Sequence, residues 1–145
     1  MSQHDFKQFS LPYVTQIADG VREQLGARGL PCVPMILFAK GASPALAATA
    51  NYDVIGLEWT VDPRHSSIPQ DVALQGNLDP IVLYGGQDAI EREVKRVCAE
   101  FRAARSTTGW IANLGHGITP GVDPDDLKWF FECVHRYSRV ETNQA

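Results

Sequence analysis

The chain has 145 residues, of which 44% are apolar, and a formal net charge of −4 at pH 7. This length and apolar content suit one globular domain with a sizeable core. The negative balance supplies no basic field for nucleic acid or an anionic membrane surface. No window approaches the roughly 18 consecutive apolar residues of a membrane helix, and the first ten residues lack the apolar core of a signal peptide. We therefore expect a soluble, cytoplasmic protein.

The first half of the chain predicts helices and strands in alternation. Ile17, Val21 and Leu25 recur at i, i+4 and i+8, which indicates the buried stripe of an amphipathic helix. A nearly continuous apolar run between Pro31 and Gly41 is typical of a strand buried on both faces. The predicted elements are a helix over 6–27, a strand over 32–39, a short helix over 43–50 and a strand over 52–59.

The second half repeats the pattern. Its predicted elements are a strand over 71–80, a helix over 87–104, a strand over 110–115, a helix that Asp123 caps, and a frayed tail over 141–145. Pro124 suits the first position of the last helix, because its missing N–H has no partner there anyway. The predicted buried stripes are Ile90, Val94, Val97 and Phe101 in the first of these helices, and Leu127, Phe130, Phe131 and Val134 in the second.

Alternating buried strands and amphipathic helices predict an α/β fold with a parallel sheet. Each apolar run ends in a small polar or glycine-rich cluster, so these clusters meet at the carboxyl edge of the sheet, where such folds bind ligands. The clusters are Lys40-Gly41, Glu58-Trp59-Thr60, Gln75-Gly76-Asn77-Leu78-Asp79 and Asn113-Leu114-Gly115-His116-Gly117. The sequence therefore predicts His116, flanked by two glycines that leave room for a ligand, as a candidate site residue.

Structural alternatives remain for each candidate. His116 could be a loop histidine that bonds a nearby carbonyl group. Asn77 and Asp79 could tie a strand end to its neighbour instead of contacting a ligand. Lys40 could simply extend into solvent, and Trp59 suits packing better than a stacking platform.

Three cysteines, Cys32, Cys98 and Cys133, lie far apart and form neither a CxxC pair nor a metal-ligand spacing. We interpret all three as reduced and structural. The number of βα units raises a different question, because a closed (β/α)8 barrel takes about 250 residues. Four strands leave two open edges, so either the sheet is open or another part of a protein completes it.

Several motifs together resemble the carboxyl-terminal part of the uroporphyrinogen decarboxylase family. They are "LPYV", "VPMILFAKG", "YDVIGLEWT", "LQGNLDP" and "IANLGHGITPGVDPDDL", which occur in the family's order and at about its spacing over residues 6–139. The resemblance implies that residues 1–145 form the carboxyl-terminal half of a (β/α)8 TIM barrel, with about four βα units. It also implies a cytoplasmic homodimer that needs no metal or organic cofactor.

The activity that the resemblance implies is a carboxy-lyase reaction in haem biosynthesis. Carbon dioxide leaves the four acetate side chains of uroporphyrinogen III, and coproporphyrinogen III results. The "LGHG" setting of His116 matches the family histidine that contacts a substrate carboxylate. Lys40, Asn77, Asp79, Gly115 and Gly117 match positions near the site, with no catalytic role implied for them.

The chain departs from the family in length. It matches less than half of the family's length, and the missing amino-terminal part carries the family's arginines and the aspartate that faces the pyrrole nitrogens. We therefore expect the catalytic residues to lie outside this chain and the chain alone to be inactive. Two further hypotheses remain. One is a truncated half barrel that acts as a binding partner or a decayed gene product, and the other is a zinc-dependent methyltransferase, which would need cysteine ligands at strand ends.

Overall fold

The fold is one parallel sheet with helices in the connections, as the computed structural model describes it for residues 2–105 and 109–139. The strands are β1 (Ile36–Phe38), β2 (Val54–Gly56), β3 (Ala73–Leu78) and β4 (Trp110–Leu114). The helices are α1 (Gln3–Phe9), α2 (Leu11–Ala27), α3 (Pro44–Ala47), α4 (Gln87–Ala104) and α5 (Pro124–Tyr137). Three short 3-10 turns follow strands or helices at Ala48–Ala50, Pro63–His65 and Pro80–Tyr84.

All neighbouring strands are parallel, and their order in the sheet is their order in the chain. This confirms the predicted α/β class and the parallel sheet. It also places the carboxyl ends of the four strands at one edge of the sheet. Among the described helices, none combines the length and the apolar character needed to cross a membrane.

The core lies between the sheet and α4 and α5. Leu74 and Leu78 of β3 are 0% and 1% exposed, and the predicted stripe of α4 is fully buried. Phe101 of α4 stacks on Trp110 of β4, with ring centroids 5.0 Å apart. Such burial stabilises by about 1.5–3 kcal/mol for each large apolar side chain.

On the opposite face of the sheet, the edge strands β1 and β4 carry apolar side chains that are exposed. Ile36, Phe38 and Ile111 point to that face and are 41–45% exposed. The prediction of a doubly buried strand over 32–39 is therefore wrong, since β1 has three residues and nothing in the described part of the chain covers this face. Pro34, just before the strand, has no N–H to pair, which helps to keep it short.

The predicted helix over 6–27 is two helices. The chain breaks at Ser10, where φ is −122° and ψ is −51°, and α2 restarts with Pro12 in its first turn. A proline inside a continuous helix would clash with the carbonyl group four residues earlier. The predicted burial of the stripe is also wrong, because Ile17 is 58% and Val21 is 37% exposed, with no covering element among the described residues.

The remaining helices follow the predictions closely. The short helix over 43–50 is α-helical only as far as Ala47 and continues as a 3-10 turn. Asp123 caps α5 by accepting a hydrogen bond from the Asp125 backbone N–H at 2.9 Å. Phe130 is buried, but Phe131 is 53% exposed, since adjacent helical residues point about 100° apart. The predicted tail over 141–145 lies outside the described residues.

Candidate active site

A cleft of about 440 Å³ lies at the carboxyl ends of the strands. Its walls include Phe38 from β1, Gln75 from β3, Asn113 from β4 and Phe131 from α5. His116, in the loop after β4, stands at its edge. The cleft therefore combines an apolar wall with a few polar groups, which is typical of a small-molecule site.

His116 is exposed, and its ring is turned toward its own loop. Its Nδ1 lies 3.2 Å from the carbonyl oxygen of Gly117, to which a protonated Nδ1 donates. That contact is the loop-histidine alternative that the sequence left open. Within the described residues Nε2 has no hydrogen-bond partner, so this nitrogen is available to a ligand.

Trp59 is the aromatic neighbour of His116. The two ring centroids are 5.6 Å apart and the rings are 72° from coplanar, which is an edge-to-face contact. On the same indole, Lys40 Nζ lies 5.4 Å from the ring centroid, within cation–π distance. Trp59 is 36% exposed and lies outside the hydrophobic core, and its ring packs against that of His116 instead.

Gly115 is explained by close backbone approach. Its φ is outside the positive region that would favour glycine on conformational grounds. Instead, a Cβ at this position would lie 2.3 Å from the backbone N and 2.8 Å from the Cα of Trp59. A Cβ on Gly117, by contrast, would have no atom within 4 Å, and Gly117 lines the cleft.

Asn77 and Asp79 make structural contacts at the end of β3. The Asn77 side-chain amide donates to the carbonyl oxygens of Glu58 at 3.0 Å and Val61 at 2.6 Å, and the residue is 4% exposed. Asp79 accepts a hydrogen bond from the Ile81 backbone N–H and so caps the 3-10 turn that follows. Neither residue is among those that line the cleft.

Two further contacts hold the loops of the site. The Arg64 guanidinium beside Asp62, together with the Arg64 backbone N–H, holds the pKa of that carboxyl well below its usual range, so Asp62 stays ionised. Tyr84 Oη donates to the Pro120 carbonyl oxygen at 3.0 Å and lies 2.8 Å from Thr119 Oγ1. The Tyr84 contacts thus fasten the loop with His116 to the turn after β3, whereas the Asp62–Arg64 pair lies within the loop that follows Trp59.

The structure brings some of the predicted residues together and separates others. Lys40, Gly115 and His116 gather around Trp59, whereas Asn77 and Asp79 are used inside the fold. Sequence reasoning missed the wall residue Phe38, since its run was assigned to a buried strand. Tyr84 was missed as well, because its partners lie more than 30 residues away.

Burial agrees with the predicted structural role for two of the three cysteines, while Cys32 is exposed. All three are free, and Cys98 and Cys133 lie buried within α4 and α5. In the described ranges, no three His, Cys, Asp or Glu side chains are arranged as a set of metal ligands.

A parallel βα sheet whose strand-end loops surround one cleft is the architecture of the α/β enzymes that bind ligands at this edge. The profile of the family described as Uroporphyrinogen decarboxylase (URO-D) matches residues 1–137. The chain belongs to the uroporphyrinogen decarboxylase family, whose fold is a TIM barrel that this chain covers only in part. The resemblance seen in the sequence motifs is therefore confirmed.

Named relatives agree with the family match. The chain is 44% identical to the uroporphyrinogen decarboxylase of Danio rerio over 139 residues, which is 93% of the chain and 37% of that protein. It is 43% identical to the Schizosaccharomyces pombe protein, with 94% and 39% covered, and 42% identical to the Homo sapiens protein, with 93% and 37% covered. The chain thus spans less than two fifths of the length of these relatives.

Proposed function

We propose that this chain serves as the carboxyl-terminal part of a uroporphyrinogen decarboxylase. The reaction removes carbon dioxide from the four acetate side chains of uroporphyrinogen III and gives coproporphyrinogen III. The observation that carries the proposal is the position of His116, exposed at the carboxyl end of β4 and at the edge of the cleft, in a chain that matches this family over residues 1–137.

The chemistry needs no group beyond the substrate ring and a proton donor. Protonation of the ring carbon next to the one that bears the acetate makes the pyrrole an electron sink, because the positive charge is then conjugated with the carbon to which the acetate is attached. Loss of carbon dioxide returns the electrons, a proton adds to the side-chain carbon to complete a methyl group, and the ring carbon loses its added proton. The protein must hold the macrocycle, stabilise the positive ring and place the donor.

In this proposal His116 binds a substrate carboxylate through Nε2. A neutral imidazole donates there after a change of tautomer, and an imidazolium donates more strongly. Gly117 lines the cleft beside His116, whereas Lys40 and Gly115 lie against Trp59. Asn77 and Asp79 support the wall from behind, since their polar atoms are bonded within the fold. The catalytic residues are contributed by a part of the barrel that this chain does not contain.

The same proposal covers the setting of the protein. Residues 1–145 form part of a single barrel domain of an enzyme that is a homodimer in the cytoplasm and uses neither metal nor organic cofactor. These features come from the family resemblance. The structure adds one supporting observation. The cleft has an apolar wall that includes Phe38 and Phe131, and such a wall suits a large tetrapyrrole.

The test is a chimera in which this chain replaces the 139 matched residues of the Danio rerio relative. We expect purified chimera to convert uroporphyrinogen III into coproporphyrinogen III, as measured by chromatography of the oxidised porphyrins. The 145-residue chain alone should give no product. A chimera that has the parent's circular dichroism and elution volume but forms no product would refute the assignment.

One observation favours a second candidate, a half barrel that acts as a binding partner. The bare sheet face at Ile36, Phe38 and Ile111 would suit such a partner. The intact mass of the endogenous protein, detected with an antibody against α5, separates the two candidates. A mass more than twice 16.0 kDa supports the decarboxylase, and a mass of 16.0 kDa supports the half barrel.

A further inference from the structure

Three loops of the candidate site meet at one side chain. Lys40 follows β1, Trp59 follows β2 and His116 follows β4, and both polar groups contact the indole ring of Trp59. The three residues lie far apart in the sequence, so only the fold assembles them. Trp59 lies outside the hydrophobic core cluster, and its ring contacts Lys40 and His116.

The backbone around Trp59 is fixed independently of these ring contacts. Asn77 donates hydrogen bonds to the carbonyl groups of Glu58 and Val61, on either side of Trp59. The backbone of Gly115 packs directly on the backbone of Trp59, which leaves no space for a side chain between them. The backbone that carries the indole is thus held on both sides, and the side chains of Trp59, Lys40 and His116 are all exposed.

We propose that Trp59 is a positioning residue that holds His116 and Lys40 beside one another as a pair of donors for substrate carboxylates. The part of this inference that concerns substrate rests on the proposed function. Trp59 itself makes no bond to the reacting atoms. Its ring face attracts the Lys40 ammonium, and its edge-to-face contact limits the orientation of the His116 ring.

The chemistry of the pair suits an anion with several carboxylates. Lys40 Nζ carries three N–H donors, and His116 Nε2 has no partner among the described residues. A carboxylate accepts hydrogen bonds on both oxygens, so one carboxylate can bridge the pair or two can bind side by side. Without the indole, each donor would have to be ordered at the moment of binding, which weakens affinity.

The first experiment tests the contact without any activity. The chain contains four histidines, namely His4, His65, His116 and His135, so ¹³C-labelled imidazole signals can be followed individually by NMR. We expect Trp59→Leu to shift the His116 ring signals through loss of the indole ring current and to leave the other three unmoved. Trp129→Leu, which removes a tryptophan outside the cleft, should leave His116 unmoved.

The second experiment measures substrate handling in the chimera. Trp59→Leu should raise KM for uroporphyrinogen about three- to tenfold while kcat changes less. Trp59→Phe should recover part of the loss, because it restores an aromatic face. In a His116→Asn, Lys40→Ala background, Trp59→Leu should add little to KM, since the groups that it positions are gone.

The outcomes separate the two proposals. An unmoved His116 signal in Trp59→Leu overturns the positioning role, whatever the chimera does. A moved signal with an unchanged KM also overturns it, because the contact would then have no consequence for substrate. An inactive parent chimera contradicts the proposed function instead. If Trp59→Leu fails to fold, by circular dichroism, Trp59→Phe carries both measurements, with a smaller expected shift and a smaller rise in KM.

Discussion

Neighbouring residues in the turn after β4 have separate tasks. His116 presents an imidazole to the cleft and contributes nothing to the core, whereas Gly115 allows two backbones to touch. The difference is invisible in the letters "LGHG". Because of this difference, we expect substitutions at His116 to affect ligand binding and substitutions at Gly115 to affect folding.

Replacing His116 should weaken substrate binding. In the chimera, we expect His116→Asn to raise KM about tenfold or more, because a hydrogen bond to a charged group contributes about 1.5–3 kcal/mol. The melting temperature should stay within about 2 °C, as is usual for an exposed side chain. The control is His135→Asn on the exposed surface of α5. An unchanged KM in His116→Asn would contradict the assigned contact.

Adding a methyl group at Gly115 should destabilise the fold. The new Cβ would meet the Trp59 backbone at 2.3 Å, and such overpacking costs about 1–3 kcal/mol. The matched control is Gly117→Ala, two residues away, where nothing lies within 4 Å. Urea denaturation of the chain measures both variants. Equal midpoints for the two would show that the close approach is relieved at no cost.

At the scale of elements, Asn77 joins the end of β3 to the loop after β2. Its amide donates to two carbonyl oxygens, so a nearly isosteric aspartate would face both with a negative charge. We expect Asn77→Asp to cost about 3 kcal/mol or more, and Asn77→Ala about 1–3 kcal/mol. Urea denaturation tests the order of the two variants. A stability of Asn77→Asp above that of Asn77→Ala would rule out the role of the amide as a double donor.

The sequence predicted some elements better than others for a physical reason. The helix predicted over 87–104 has the same bounds in the structure, because its buried stripe packs within the chain itself. The strand over 32–39 and the stripe at Ile17 were predicted wrongly, because their apolar faces have no cover among the described residues. Local pattern shows that a face is apolar and does not show what covers it.

The same limit applies to the site. Parallel strands and their carboxyl ends follow from alternation, so the region of His116 and Lys40 could be predicted. The use of Trp59 as a shared contact could not, because it depends on the distance between loops that are far apart in the chain. The sequence likewise indicated Gly115 as a residue that leaves room for a ligand, and did not show that its backbone contacts that of Trp59.

For the whole molecule, the thiols report on the integrity of the core. Cys32 is exposed, while burial raises the pKa of Cys98 to about 11 and also raises the pKa of Cys133. Both buried thiols are therefore protonated and shielded at pH 8, and only thiolates react rapidly. We expect a thiol reagent such as DTNB to modify Cys32 alone in the native chain and all three in urea. Rapid native labelling at three positions would contradict the buried core.

The stability of the sheet should decrease from β3 to β1. Among the described residues, β1 is three residues long, pairs only with β2 and follows an exposed segment over 28–34, whereas β3 lies between two strands and beneath α4. Hydrogen exchange at backbone amides measures this difference directly. We expect residues 36–38 to exchange faster than residues 74–78. Uniform exchange across the four strands would show a fully cooperative sheet.

Because stability differs between the strands, we expect the residues of the candidate site to differ in mobility. Lys40 directly follows the weakest strand, whereas Trp59 and His116 belong to loops that are fastened by Asn77 and Tyr84. Under the proposed function, the substrate loses one carboxylate at each of four steps and so changes its charge and outline while the same site serves it. We expect the position of Lys40 to adjust to the changing carboxylates of these intermediates, and the position of His116 to stay the same at all four steps.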